Sequence, residues 1–159
     1  MTIQFSQESL LAPMSVLFSQ PRQVKFQDVD AAGTIYFARM FEYFSDAYLA
    51  LLQESQLDVV GMLERREGAA PLVHAEADYL APLFFGDAVI VEVVRAHLGS
   101  SSTRFGYRVK KTDGKVAALG QTHHVWIDRK EFKPRAIPEA LRDFLLARGA
   151  TVAAEHGEA

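Results

Sequence analysis

The chain contains no cysteine among its 159 residues. Disulfides, thiolate metal sites and cysteine nucleophiles are thereby excluded, and a reducing compartment suits it. A basic excess is also missing. Lys and Arg number 17 against 20 Asp and Glu, a net charge of −3, which is not the electrostatic footprint of a nucleic-acid binder. No segment is long and apolar enough to span a bilayer. The N-terminus lacks the basic start of a secretion signal, its first arginine being Arg22. There is no phosphate loop, dinucleotide fingerprint, Ser-His-Asp elbow or zinc motif, and no internal repeat or low-complexity run. The expectation is a cytoplasmic protein without nucleic-acid or membrane partners.

What is present suits one globular domain, with 49% hydrophobic and 23% charged residues. A domain of this size buries about two-thirds of its unfolded surface and needs no staples. The expected division is an N-terminal extension over 1–21, a folded domain over 22–149 and a flexible tail over 150–159. The extension carries Pro13 and Pro21 and a short helix from Gln7 to Leu11. Alternation predicts a first strand at Gln23–Gln27, then a turn from Asp28 to Gly33. Phe37, Met40, Phe41, Phe44, Tyr48 and Leu51 recur at spacings of three and four, the apolar stripe of a long helix. A connector with helical character at Val59–Arg66 ends at Pro71. Four strands are then expected in a meander: Leu72–Leu80, Asp87–Leu98, Thr103–Lys110 and Val116–Asp128, with an Asp113-Gly114 hairpin turn. A closing helix begins at Pro138 and stops at Gly149. One dominant helix beside a run of strands indicates an α+β domain with an antiparallel sheet.

The chemistry concentrates where the turn meets the long helix. A helix N-terminus offers free N–H donors and a partial positive charge. A carbonyl becomes more negative as it is attacked, and donors at such an oxyanion contribute ~3–4 kcal/mol. Gly33 lets the chain turn and lets a ligand approach the backbone. A carboxylate at Asp30 can attack the carbonyl or activate a water. An aspartate at a helix start also commonly caps or closes a turn, and the residues alone favour that plainer role. Asp28 reads as a structural hydrogen-bonding acid at the strand end.

Val24 to Phe37 runs as a strand, Asp28-Val29-Asp30-Ala31-Ala32-Gly33, two further residues and the pair Tyr36-Phe37 before the helix. This pattern resembles the signature of the 4-hydroxybenzoyl-CoA thioesterase family. Pro82-Leu83-Phe84-Phe85-Gly86-Asp87 is similar to the family's entry to its long strand, and Gly99-Ser100-Ser101-Ser102 to the turn that follows. Lys133-Pro134 with Ile137-Pro138 is similar to its C-terminal end, so the resemblance spans about residues 22–146. It implies the hotdog fold, an antiparallel sheet wrapped around one long central helix. It further implies hydrolysis of an acyl-CoA to free acid and CoA without metal or cofactor, with Asp30 as the catalytic carboxylate. The Phe37 amide becomes the donor to the thioester carbonyl. Whether Asp30 is nucleophile or general base stays open.

Other positions carry two readings each. Tyr36 and Phe37 line an acyl pocket or pack in the core. Ser45 stands where the hydroxybenzoyl enzyme has an aspartate that recognises the ring hydroxyl, so that exact substrate is not implied. Ser100, Ser101 and Ser102 either bind the pantetheine or phosphate part of CoA or form a plain turn. Arg104, Arg108, Lys110 and Lys111 are either a phosphate-attracting patch or a solvent face. His74, Glu76 and Asp78 share one strand face, read as solvated or interfacial rather than as a metal site. His123 and His124 oppose each other in a strand and read as packing or interface residues. Val73 to Leu80, with Asp-Ala-Ala-Gly and Tyr-Phe-Ala upstream, is similar to the 1,4-dihydroxy-2-naphthoyl-CoA hydrolase branch and implies a bulky aromatic acyl group. The rival readings are an aliphatic acyl-CoA or carrier-protein thioesterase, and a noncatalytic acyl-CoA-binding protein. A hotdog dehydratase is disfavoured because the long helix has no histidine. In the family two subunits join their sheets and build the sites at the junction. A homo-oligomer, dimer or tetramer, is therefore expected, with Ala88–Val94 as the pairing strand.

Overall fold

Apolar residues spaced by three and four fold as helix, and alternating residues fold as a sheet laid against it. The computed structural model describes residues 4–154. In chain order they form α1 (Gln7–Leu11), β1 (Phe18–Gln23), a 3-10 turn at Phe26–Asp28, α2 (Arg39–Glu54) and α3 (Val59–Glu64). There follow β2 (Gly68–Ala69), β3 (Leu72–Tyr79), β4 (Ala88–Leu98), β5 (Ser102–Lys111), β6 (Val116–Val125), β7 (Ile127–Asp128), α4 (Glu139–Ala147) and β8 (Thr151–Val152). The main sheet has six strands in the order β1-β4-β5-β6-β3, with β8 beside β4; β2 and β7 form a separate pair. All its pairings are antiparallel except β4 with β8.

The helix α2 lies on one face of this sheet. Phe44 stacks on Tyr107 of β5, ring centroids 4.7 Å apart, and Tyr48 meets Phe105 at 5.4 Å. Gly120 of β6 sits directly beneath Phe44: a Cβ there would lie 2.2 Å from the ring. The absence of that one carbon lets the helix close onto the strands. The buried stripe of α2 is Met40, Tyr43, Phe44, Ala47, Tyr48, Leu51 and Leu52. Phe37, placed on that stripe by its spacing, is 60% exposed, because it precedes the first helical turn.

The opposite sheet face is covered by the N-terminal segment. Leu10 is buried against Val94 and Leu119. The Gln121 side chain receives the Phe5 amide and donates back to the Phe5 carbonyl, each at 3.1 Å, and Arg95 donates to the Ser9 carbonyl. Phe5, Leu10 and Met14 thus lie against this face. The first strand begins at Phe18, not Gln23, and runs through Pro21; an edge strand tolerates proline because no neighbour needs its N–H.

Two further expectations are corrected. The last four strands are not a simple meander, because β3 pairs with β6 at the far edge and not with β4. The strand Ala88–Val94 is held between β1 and β5, so its backbone is already paired. The free edge among the described residues that faces away from β6 belongs to β3. Residues 1–3 and 155–159, at the outer ends of the expected extension and tail, lie outside the described residues.

Candidate active site

Residues 28–36 form a closed loop at the start of α2. Tyr36 N donates to Asp28 O at 2.8 Å and Asp30 N to Thr34 O at 3.0 Å, a bridge between Val29 and Ile35. Gly33 turns the tip with φ +83°, a conformation that suits glycine. The base of the loop is anchored by Asp28. It is buried, and its Oδ2 accepts from the Tyr43 hydroxyl at 2.8 Å and the Lys25 amide at 2.9 Å. Burial first, and the Asp28 carboxylate second, push the Tyr43 phenol well above its ordinary range, so it stays a hydrogen-bond donor.

Asp30 is exposed. Its Oδ1 accepts from the Ala32 amide at 2.8 Å, which closes an Asx turn; its Oδ2 has no partner among the described residues. The turn role and a chemical role are therefore compatible, one oxygen for each. The Ala38 cap of α2 makes no side-chain hydrogen bond. The amides of Arg39, Met40 and Phe41 fold back onto the carbonyls of Tyr36, Phe37 and Ala38. The Phe37 amide donates to no acceptor among the described residues. The Tyr79 hydroxyl donates to the Phe37 carbonyl, which ties the next peptide, Phe37–Ala38, to the end of β3.

A second feature lies further along α2. A cavity of about 170 Å³ is enclosed by Phe41 and Ser45 of α2, Leu72 and Ala75 of β3, and Thr122 and His124 of β6. Its polar floor is a hydrogen-bonded chain. Tyr107 Oη lies 2.9 Å from Thr122 Oγ1, Thr122 Oγ1 lies 3.2 Å from His124 Nε2, and His124 Nδ1 lies 3.2 Å from the Ala70 carbonyl. The imidazole stacks on Tyr48 at 4.1 Å, and burial pushes its pKa down to about 4. The sequence marks His124 as a packing or interface residue and does not single out Tyr107 or Thr122 for a site. The available signal was the i, i+2 spacing of Thr122 and His124, which puts both on the helix side of β6.

Residues 24–145 match the model of the thioesterase-like superfamily. The chain belongs to that superfamily. It is 31% identical over 128 residues to a 1,4-dihydroxy-2-naphthoyl-CoA hydrolase of Nostoc punctiforme, covering 80% of this chain and 86% of that one. The corresponding hydrolase of Trichodesmium erythraeum is 31% identical over 132 residues, 82% of this chain and 96% of its own. Among solved structures, a 1,4-dihydroxy-2-naphthoyl-CoA thioesterase from Synechocystis superposes with a TM-score of 0.77 at 28% identity, over 81% of this chain and 95% of that one. A gentisyl-coenzyme A thioesterase superposes with a TM-score of 0.71 at 27% identity, over 78% and 98%. The hotdog architecture expected from the sequence is thus the fold of this superfamily member.

Within one chain, several expected site residues lie apart. Asp30, Gly33, Tyr36 and Phe37 share the loop, and Tyr36 is also exposed. Ser45 lies two turns down the helix at the cavity. Ser100–Ser102 form the turn at the other end of the eleven-residue β4, roughly 35 Å from the loop at strand rise. Their carbonyls are used structurally, accepting from Ile137, Trp126 and Gly99. Arg104 and Arg108 are buried on the outer sheet face rather than presented as a basic patch. Arg108 and Lys110 pair with Glu92 at 2.7 and 3.0 Å, and Lys111 with Asp87 at 3.4 Å. A cleft of about 480 Å³ lies between β1 and the far flank of α2 and includes no residue of the loop. His74 pairs with Glu76 at 2.9 Å on the outer face.

Proposed function

We propose that this protein hydrolyses the thioester of an aromatic acyl-CoA to the free acid and coenzyme A, working as a homo-oligomer. The observation that carries this reading is the uncommitted Phe37 amide at the start of α2, on the same loop as a carboxylate with one unpartnered oxygen. The thioester oxygen accepts from the Phe37 N–H. As the carbonyl carbon becomes tetrahedral, its negative charge develops against that donor and the positive end of the helix. Asp30 Oδ2 either bonds to the carbonyl carbon or takes a proton from an attacking water. In both routes the C–S bond breaks and the CoA sulfur leaves as a thiolate that picks up a proton. In the first, water then cleaves the acyl-aspartate anhydride.

The aromatic acyl group is supported by the relatives, whose names specify dihydroxynaphthoyl and gentisyl thioesters. Assembly is supported by the free edge of β3 and by the apolar surface around the loop. Phe37, Phe84 and Phe85 are 60%, 48% and 63% exposed, more than a lone chain usually leaves open in one place. An antiparallel two-fold pairing of β3 with its copy sets the Tyr79 end of one chain beside the Leu72 end of the other. The loop of one protomer then faces the cavity and the Ser100–Ser102 turn of its partner, whose hydroxyls become available to CoA.

The test is thiol release from a matched panel of aromatic and aliphatic acyl-CoAs. The expected result is a kcat/KM at least tenfold higher for bicyclic aromatic thioesters. Preferential turnover of aliphatic chains would overturn the aromatic assignment.

A further inference from the structure

The cavity floor has a direction that hydrogen-bond inventory determines. A carbonyl can only accept, so His124 Nδ1 carries the proton and donates to Ala70 O. The ring is neutral at working pH, which leaves Nε2 as an acceptor. Thr122 must therefore donate to Nε2, and its one hydroxyl proton is committed. Tyr107 must in turn donate to Thr122 Oγ1. Every proton of the chain Tyr107, Thr122, His124, Ala70 is consumed inside it. What remains is lone pairs, one on Thr122 Oγ1 and those of Tyr107 Oη, in a cavity lined elsewhere by apolar side chains together with Ser45 and Tyr48.

Such a floor accepts a hydrogen-bond donor and disfavours a carboxylate or carbonyl, which would meet lone pair against lone pair. It carries no positive charge to offset an anion. Leu72, Leu49 and Ser45 at the rim are exposed, so the cavity opens along the β3 edge. The loop that would hold a thioester lies at the opposite, Tyr79 end of the same strand. Across the two-fold pairing proposed above, an acyl ring bound at one protomer's loop enters its partner's cavity.

Resting on that reading, we infer that Thr122, oriented by Tyr107 and His124, is a specificity residue that reads a ring hydroxyl distal to the thioester.

A matched pair of substrates isolates the effect: 1,4-dihydroxy-2-naphthoyl-CoA and 1-hydroxy-2-naphthoyl-CoA, which differ only in the distal hydroxyl. Wild type is expected to favour the dihydroxy thioester at least tenfold in kcat/KM. Thr122→Val keeps the size of the side chain and removes the acceptor; it should bring that ratio close to one, the loss falling mainly on the dihydroxy thioester. Thr122→Ser should restore the preference. A structural role for Thr122 would lower both substrates together and leave the ratio unchanged. A wild-type ratio near one overturns the inference, and it does so even if Thr122→Val fails to fold. Failure of the functional reading looks different: neither naphthoyl thioester is turned over by wild type at all.

Discussion

At the scale of single residues, two acids two positions apart behave oppositely because of what surrounds them. Asp28 is enclosed and holds the Tyr43 hydroxyl and the Lys25 amide. Asp28→Ala leaves a buried phenol unpaired, at a cost of about 2–3 kcal/mol. A calorimetric scan should show the thermal midpoint fall by roughly 5–10 °C. Asp30 is exposed, and its replacement should barely move that midpoint. His124 supplies a pH-dependent term. Its pKa is 6.5 when unfolded and about 4 when folded, so the unfolded chain binds more protons between those values. The neutral buried ring is therefore fully stabilising above pH 6.5, and that contribution is lost as pH falls toward 4, to a total on the order of 3 kcal/mol. Urea midpoints at pH 7 and pH 4.5 should separate by less in His124→Gln than in wild type; equal separations would assign the acid sensitivity to other groups.

At the scale of elements, the closeness of α2 to the sheet decides the core. Gly120→Ala places a methyl against Phe44 and 2.8 Å from the Glu76 carbonyl, so neither the ring nor the strand can yield cheaply. Overpacking of this kind costs about 1–3 kcal/mol, and the loss should show in a denaturant titration as a lower midpoint at unchanged slope. The elements that depend on local pattern were readable from the sequence. The three-and-four spacing gave α2, alternation gave β3 to β6, Pro138 and Gly149 bracketed α4, and the Gln7–Leu11 helix appears as expected. The Asp30 loop was readable too, because glycine, aspartate and a helix start are consecutive. What was not readable is non-local. No periodicity in Leu72–Tyr79 says that its partner is β6 and not β4. Pro21 falls in the expected extension and is an edge-strand residue. Gln121, Arg95 and Leu119 gave no sign that their face receives the N-terminal segment. Thr122 and His124 acquire a joint role only through Tyr107 on a neighbouring strand and Ala70 on a distant loop.

At the scale of the whole molecule, one sheet face holds α2, the other is occupied by residues 5–14, and β3 ends the sheet with its outer edge unpaired among the described residues. Lysine on an edge strand discourages pairing. Val73→Lys, at an exposed position of β3, should therefore shift the protein toward monomer in equilibrium sedimentation. Activity should fall in parallel with the dimer fraction while the circular dichroism of each chain is kept; full activity in the monomer would mean that each chain carries a complete site. The central claim is that the loop before α2 performs thioester hydrolysis through Asp30. Its most direct test is the rate of CoA release from 1,4-dihydroxy-2-naphthoyl-CoA by wild type and Asp30→Asn, with thermal midpoints measured on the same samples. The account predicts a loss of at least about a hundredfold in kcat with an unchanged midpoint. An Asp30→Asn protein that keeps its midpoint and most of its rate would contradict it, and would leave Asp30 as a turn residue alone.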